Sequence, residues 1–406
     1  MKKSPFFDFF NRHGLSEDVE LNSFDNYLAI NREDVDYINW NEFLLPNDYG
    51  DAEYEYDNIR NKCALFDVSP IRKFRIIGSA AGQFLDILLT RTVSTVSSMR
   101  GIYVVFCNED GTLKDDAIVY KYADDDYMLM PSDIDHSVYF EKLRKASHIS
   151  NDDISILDCS DSWTGVAIQG PLSAQVVRQM GFSSVDQLKP FEVRDFPFAN
   201  GEMKIARMGF TADLGYECWF RLSLSDEFKT TIKRVRSELD LDIPGYGLTA
   251  LETCRIEGGF IVAGWDFSTE ADPTPGFERS PFEVGLGWLV KLGDHNFVGK
   301  DALTEEKKSG SNYVLRQFVT DACIKPEDGI KIYGPQGSND VVGSAYCSTW
   351  SWGLQQTIGN ASIKASRASL ETARMEIDGE YIQVSLKRGP LINLQRRNKV
   401  PAELSG

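Results

Sequence analysis

What most constrains this chain of 406 residues is how its apolar period changes along the sequence. Twice it runs from strand to turn to helix and back to strand, and then the helical period disappears. The first cycle opens at Lys62, where CALFDVSPIRKFRIIGSAAGQFLDILLT holds an alternating strand, KFRII, a Gly-Ser turn, and a helix with Ala80, Phe84, Leu85 and Leu88 at helical spacing. GIYVVFCNEDG adds a strand that ends in a turn, and DDAIVYKYADDDYMLMPSD adds two more, parted by an acidic turn. A helix is predicted next, from about His136 to Ala146. The second cycle gives strands, a Gly-Pro turn and a helix in ISILDCSDSWTGVAIQGPLSAQVVRQMG, then a hairpin-like pair in KIARMGFTADLGYECWFRLSL. From roughly residue 312 the runs are short and alternating, YVLRQFV, GIKIYG, VVGSAYCS and YIQVSLKRG, separated by Gly or Pro. Two related α+β units followed by a small β-barrel or sandwich are expected.

Three other stretches stand outside that pattern. The first sixty residues are polar and interrupted by acidic runs such as DYGDAEYEYDN (48–58), which predicts a surface arm and an opening helix. GLTALETCRIEGGFIVAG reads as a helix that stops at Gly258-Gly259. The Pro-rich WDFSTEADPTPGFERSP that follows reads as a long connecting loop.

The charge balance narrows the partners. With 61 acidic and 43 basic residues the net charge is -18, which repels phosphate backbones and anionic membranes. Neither nucleic acid nor a membrane is an expected partner. No segment approaches the ~18–20 apolar residues of a membrane span, and MKKSPFFDFFNRHG lacks a long apolar signal core, so a cytoplasmic location is expected. The seven cysteines are scattered without a C-x-x-C pair and read as reduced and mostly structural. His13, His136, His148 and His295 include no local ligand pair, so neither a metal nor a His-based triad is expected.

Three clusters hold residues suited to chemistry. In NEDGTLKDD (108–116) a turn at Asp110-Gly111 leads into a strand on which Asp115 and Asp116 point to opposite faces, so one carboxylate is free to face a cavity. A hairpin with a charged strand start is the plainer reading. In GFTADLGYECWF (209–220) alternation puts Tyr216, Cys218 and Phe220 on one face and Glu217, Trp219 and Arg221 on the other. A carboxylate beside an indole suits a flat heterocycle with N–H donors, and a solvent-facing Glu near an edge Trp is the alternative. In LETCRIEGG (251–259) Glu252 and Arg255 are spaced to pair along a helix, and an Arg at a helix end is also suited to hold a ligand carboxylate or carbonyl.

The order of these clusters carries more than any one of them. FDVS (66–69), Tyr103 followed by NEDGTLKDD, AIQGP (167–171), GFTADLGYE (209–217), TCRIEGG (253–259) and FVGKDAL (297–303) occur in sequence. Together they resemble the glycine-cleavage T-protein (aminomethyltransferase) family, whose relatives include tetrahydrofolate-dependent demethylases. The similarity runs from about residue 60 to 305, with a weaker continuation beyond. It implies an α+β, three-domain clover leaf around a central tetrahydrofolate site, with a C-terminal β-barrel-like domain. The implied division is 1–60 with 150–245 as the folate-binding domain, 61–149 with 246–305 as the domain of the catalytic aspartate, and 306–406 as the barrel.

Residue by residue, the resemblance makes Asp115 the catalytic aspartate and Glu217 the pterin-holding glutamate. Tyr103 is then the tyrosine beside the folate, and Arg255 the arginine of the family's T-L-R-L-E segment. Phe210 and Ser132 stand where the family has the tyrosine of G-Y-T-G-E and the asparagine of V-V-N-A, and count with the folate-binding positions. S-H-M after F-D-V is here Ser69-Pro70-Ile71, and A-R-D is Ala250-Leu251-Glu252. Folate binding looks retained and the substrate side rebuilt. Demethylation of a small methylated compound to give 5-methyltetrahydrofolate is the implied reaction, with a small-molecule methyl donor as partner. The net negative charge of the chain disfavours docking of an acidic lipoyl carrier protein. The alternatives are aminomethyl transfer of the glycine-cleavage type and a non-catalytic folate-binding role. The loop over 265–281 has Trp265, Phe267 and Phe277 to wall a donor pocket, against the alternative that they pack onto the parent domain.

Overall fold

The alternation in GIYVVFC, LKDDAIVYKYA and DYMLMP builds an antiparallel sheet of five strands. Its order is Arg100–Cys107, Leu113–Ala123, Asp126–Pro131, Phe74–Ile77 and Ser155–Asp158. One face takes the helix Ala81–Leu88 through Phe84, Leu85 and Leu88 and the helix Ser137–Ala146 through Phe140, against Val104, Phe106, Ala117, Val119 and Leu129. The turn at Asp110-Gly111 forms as expected, with Gly111 at φ 84° and the Asp110 carboxylate accepting from the Thr112 amide at 3.0 Å. This computed structural model describes residues 2–10 and 37–401; the part of the expected surface arm at 11–36 lies outside them.

The chain divides into two compact units. One contains residues 1–71, 160–254 and 394–406, and the other 72–159 and 255–393. The first unit repeats the α+β plan, with a five-stranded antiparallel sheet in the order Val193–Phe198, Gly201–Ala206, Gly215–Arg221, Trp163–Gln169, Ala64–Asp67. The helix Ser225–Leu239 lays Phe228, Ile232 and Val235 on it at i, i+4 and i+7. Residues 2–10 correct the expectation of a surface arm. Phe6 and Phe10 are buried in this unit's core with Phe220 and Phe228, because three large rings bury more apolar area than the short acidic runs cost to leave nearby.

The second unit also carries a closed six-stranded barrel, ordered Tyr313–Thr320, Gln356–Lys364, Val341–Ser351, Ile330–Tyr333, Thr372–Ile377, Glu380–Lys387. Closure comes from Gln317, Phe318 and Val319 pairing with Lys387, Leu386 and Ser385. Ala361 with Ile363, Ala373 with Met375 and Val384 with Leu386 fill its interior at period two, together with Phe318 and Ile332. The fold is thus α+β with a C-terminal barrel. The helix predicted over TALETCRIE is present as Leu248–Glu257, and the stretch 265–281 is irregular.

Candidate functional site

In the second unit the aspartate pair splits between the two faces of its sheet. The register sets Phe106 opposite Asp115 and Val105 opposite Asp116, so Asp115 shares the helix-covered face with Phe106, Ala117 and Val119, whereas Leu113, opposite Cys107 across a bulge, packs with Cys107 and Val105. Asp115 is fully buried, and both its oxygens are engaged. Oδ2 accepts from the Ser132 hydroxyl at 2.7 Å and from His136 Nε2 at 2.8 Å, and Oδ1 accepts the Asp116 amide at 2.8 Å. His136 is itself held edge-on to Phe106, ring centroids 4.9 Å apart.

Asp116 faces the other way, towards Tyr103, whose hydroxyl donates to Oδ2 at 2.7 Å. Burial, and after it the negative charge of Asp115, pushes the Asp116 carboxyl up to about 7, against the opposing hydrogen bond from Tyr103. The Tyr103 hydroxyl is held well above its ordinary range by burial and then by Asp116. Asp266 adds its field to both. A carboxyl that exchanges its proton near neutrality is suited to general acid and base work.

Asp266 is the partner of Arg255. Nη1 of Arg255 lies 2.5 Å from Asp266 Oδ2 and 3.0 Å from the Phe260 carbonyl, and both side chains of the ion pair are buried. The same Oδ2 accepts the Val262 amide at 2.8 Å, while Oδ1 accepts from Asn360 Nδ2 at 2.6 Å. With both carboxylate oxygens engaged, the pair meets the geometric condition under which buried charges are tolerated. Trp265, 41% exposed, sets its indole 5.8 Å from the Arg255 guanidinium, and Trp288, 57% exposed, lies 6.4 Å from the Tyr103 ring. Two indoles left in solvent beside a polar cluster offer flat apolar faces to a ring-shaped ligand.

The first unit holds Glu217. Its strand neighbours Tyr216, Cys218 and Phe220 face the core, as the alternation predicts, and Glu217 and Trp219 are buried on the opposite face. Trp219 Nε1 donates to Glu217 Oε2 at 3.2 Å. The indole fits because Gly165 lies under it on the adjacent strand; a Cβ there would fall 2.4 Å from the ring. Phe210, at the turn before this strand, is half exposed.

The predicted site residues are therefore distributed as follows. Tyr103, Ser132, Asp115, Arg255 and Trp265 lie in the second unit, with Ser132 bonded to Asp115 and Trp265 over Arg255. Glu217 and Phe210 lie in the first. Phe267 is fully buried among Ile261, Val284, Leu289 and Val290, and Phe277 stacks on Tyr346 at 3.9 Å. His136, Asp266, Asn360 and Trp288 were not anticipated. For Asp116 a signal existed, because Ala117 and Val119 at period two mark one apolar face and leave Asp116 on the other.

The GCVT N-terminal domain family matches residues 27–294, well over half of the chain. The chain belongs to that family. This GCVT-family protein is 30% identical to an aminomethyltransferase of Thermotoga petrophila over 285 residues, 70% of this chain and 74% of the relative. An aminomethyltransferase of Thermoanaerobacter pseudethanolicus is 28% identical over 373 residues, 91% of this chain and 93% of the relative. The crystal structure of the glycine cleavage system aminomethyltransferase T from Bartonella henselae superimposes with a TM-score of 0.80 at 18% identity, covering 98% of this chain and 99% of that one, and so shares the fold.

Proposed function

We propose that this GCVT-family protein is a tetrahydrofolate-dependent one-carbon transferase and that it demethylates a small methylated compound. The carrying observation is the pair Tyr103 and Asp116, a carboxyl poised near neutrality on the face of the sheet opposite Asp115. Each unit, taken by itself, holds a group suited to a reduced pterin. Glu217, buried and oriented by Trp219, is an acceptor for ring N–H groups, and Tyr103 with Trp288 offers an aromatic surface. Tetrahydrofolate, when bound, supplies the nitrogen nucleophile that accepts the one-carbon unit.

The residues of the chain supply position and protons. Asp116 in its protonated form delivers a proton to the atom from which the methyl group departs, and takes back the proton that the accepting nitrogen sheds, so it ends the cycle as it began. Asp115 acts through Asp116: it fixes the backbone between them and holds the proton on its neighbour. Tyr103 orients the Asp116 carboxylate, and Arg255 with Asp266 gives the site a fixed dipole that needs no reorganisation.

Aminomethyl transfer of the glycine-cleavage type is the second reading, favoured by the names of the relatives. One experiment separates the two. The purified protein is incubated with tetrahydrofolate and either a panel of O-, S- and N-methyl compounds or an aminomethylated lipoyl carrier. Formation of 5-methyltetrahydrofolate with a methyl compound, lost in Asp116→Asn, supports demethylation. Formation of 5,10-methylenetetrahydrofolate with release of ammonia establishes the second reading, and no product in either arm refutes both.

A further inference from the structure

The last described residues of the chain return to the first unit. The single-turn helix Gln395–Asn398 leaves its final carbonyls without helical partners, and the buried guanidinium of Arg207 takes them. Arg207 Nη2 donates to the carbonyls of Arg396, Arg397 and Lys399 at 3.0, 3.4 and 2.7 Å, and Nη1 to that of Leu188 at 2.9 Å. No carboxylate lies within ion-pair distance of Arg207 among the described residues. Carbonyl dipoles, most of them from this segment, therefore offset the burial of its charge.

The same segment reaches the turn that precedes the strand of Glu217. Arg396 sets Nε and Nη2 on Asp213 Oδ1 and Oδ2 at 2.5 and 2.8 Å, a two-pronged contact, and Nη2 also donates to the Arg60 carbonyl at 2.8 Å. The Asp213 side chain is fully buried, and its other cation, Arg60, stands farther off, 3.3 Å from Oδ2. Arg60 Nη1 donates to the Thr211 carbonyl at 2.7 Å, and the Asp213 carboxylate accepts the Leu214 amide at 2.7 Å. Between them Ala212 sits at φ 57°, a conformation that a residue with a Cβ keeps only where its surroundings hold it. Phe210 lies in this turn, and Glu217 follows in the strand Gly215–Arg221. Taking Arg396 away leaves a buried carboxylate with one long ionic contact, which is the costly way to break such a pair. The turn is then free to relax. The segment itself is half exposed and adds no side chain to this unit's hydrophobic core among the described residues, so polar contacts hold it.

We propose that residues 394–399 are a strap on this turn: Arg396, acting through Asp213, is a positioning residue that keeps Phe210 and Glu217 set for the pterin, and tetrahydrofolate in turn holds the strap down. The part played by folate rests on the one-carbon-transferase reading, whereas the hold of the strap on the turn and on Glu217 does not. Coupling between two binding events is reciprocal, so a strap that raises folate affinity by some factor is itself held more tightly by folate, by the same factor.

The test uses the full chain and three readings. Trypsin cleavage after Arg397 and Lys399 reports release of the strap. The indole N–H resonance of Trp219, assigned by its loss in Trp219→Phe, reports the placement of Glu217, to which it donates. Calorimetric titration reports tetrahydrofolate. Arg396→Gln is expected to be cleaved about tenfold faster, to shift the Trp219 resonance and to bind tetrahydrofolate about tenfold more weakly. Arg396→Lys keeps the charge but loses the planar fork, and falls between. Saturating tetrahydrofolate is expected to slow cleavage of the wild type by about tenfold. Should the Gln variant not melt cooperatively, the Lys variant decides by the same readings. Unchanged cleavage overturns the proposal, and so does faster cleavage with the Trp219 resonance and the folate affinity both unchanged, the segment then being a chain end tied down for its own sake. A wild type that binds no tetrahydrofolate, with the resonance shifted in Arg396→Gln, retains the strap and removes the transferase reading. Folate binding by the wild type that Arg396→Gln leaves untouched does the reverse.

Discussion

Replacing Asp115 with Asn removes the second-largest cause of the raised proton affinity of Asp116 and leaves the largest, burial, in place. The carboxyl rises from 3.8 to about 7, which corresponds to about 4 kcal/mol in favour of the protonated form at roughly 1.4 kcal/mol per pH unit. Asp115→Asn should lower the Asp116 midpoint by on the order of one pH unit. The amide keeps the shape that Ser132 and His136 enclose, and His136 adapts by exchanging its tautomer so that Nε2 accepts. The assay is a carboxyl 13C NMR titration with the Asp116 resonance assigned by its loss in Asp116→Asn, which needs no substrate. A midpoint that stays in place, in a variant that melts cooperatively, would falsify the claim that Asp115 raises the proton affinity of Asp116.

Three further outcomes follow from burial and packing. Glu55 is fully buried, accepts the amides of Tyr49 and Gly247 at 2.6 and 2.7 Å, and is pushed by burial from 4.5 up to about 8. Its folded value exceeds its unfolded one, so stability is fully present below about 4.5, falls as pH rises towards 8 by at most about 5 kcal/mol, and levels off above; Glu55→Gln should flatten that slope in urea titrations at several pH values. Phe267→Ala removes a fully buried ring from a core cluster and should cost about 3–5 kcal/mol in denaturant unfolding. A large change in donor preference at near wild-type stability would instead put Phe267 in the pocket. Gly165→Ala drives a methyl group into the Trp219 indole and should weaken tetrahydrofolate binding through Glu217, while the Asp116 titration stays unchanged; unaltered binding would remove Glu217 from folate recognition.

Local pattern was enough to read the sheets. GIYVVFC is a short apolar run, buried on both faces of its sheet, and Phe84 and Leu88 recur at helical spacing on one face of their helix. Whether the C-terminal strands form a sandwich or a barrel was not legible. The same alternation serves both, and closure depends on Phe318 meeting Leu386, a pairing across 68 residues. The burial of Phe6 and Phe10 was obscured for a related reason: polar composition was averaged over sixty residues, whereas burial is decided by individual rings.

The site shows the same limit at the level of single carboxylates. Ala117 and Val119 identify Asp115 as a polar residue on an apolar face, and a carboxylate there requires partners. Their identity, Ser132 and His136, depends on a strand end and a helix start being brought together, which no period encodes. Asp266 and Asn360 are further apart still, 94 residues, and their hydrogen bond is set by loop and barrel packing within the second unit. Sequence pattern thus locates buried carboxylates, whereas their charge is decided by partners fixed in the tertiary structure. The resemblance led to Asp115, and Asp116 beside it is the carboxyl held near neutrality: among the described residues its side chain accepts from the Tyr103 hydroxyl, and burial and then a negative neighbour hold the proton on it.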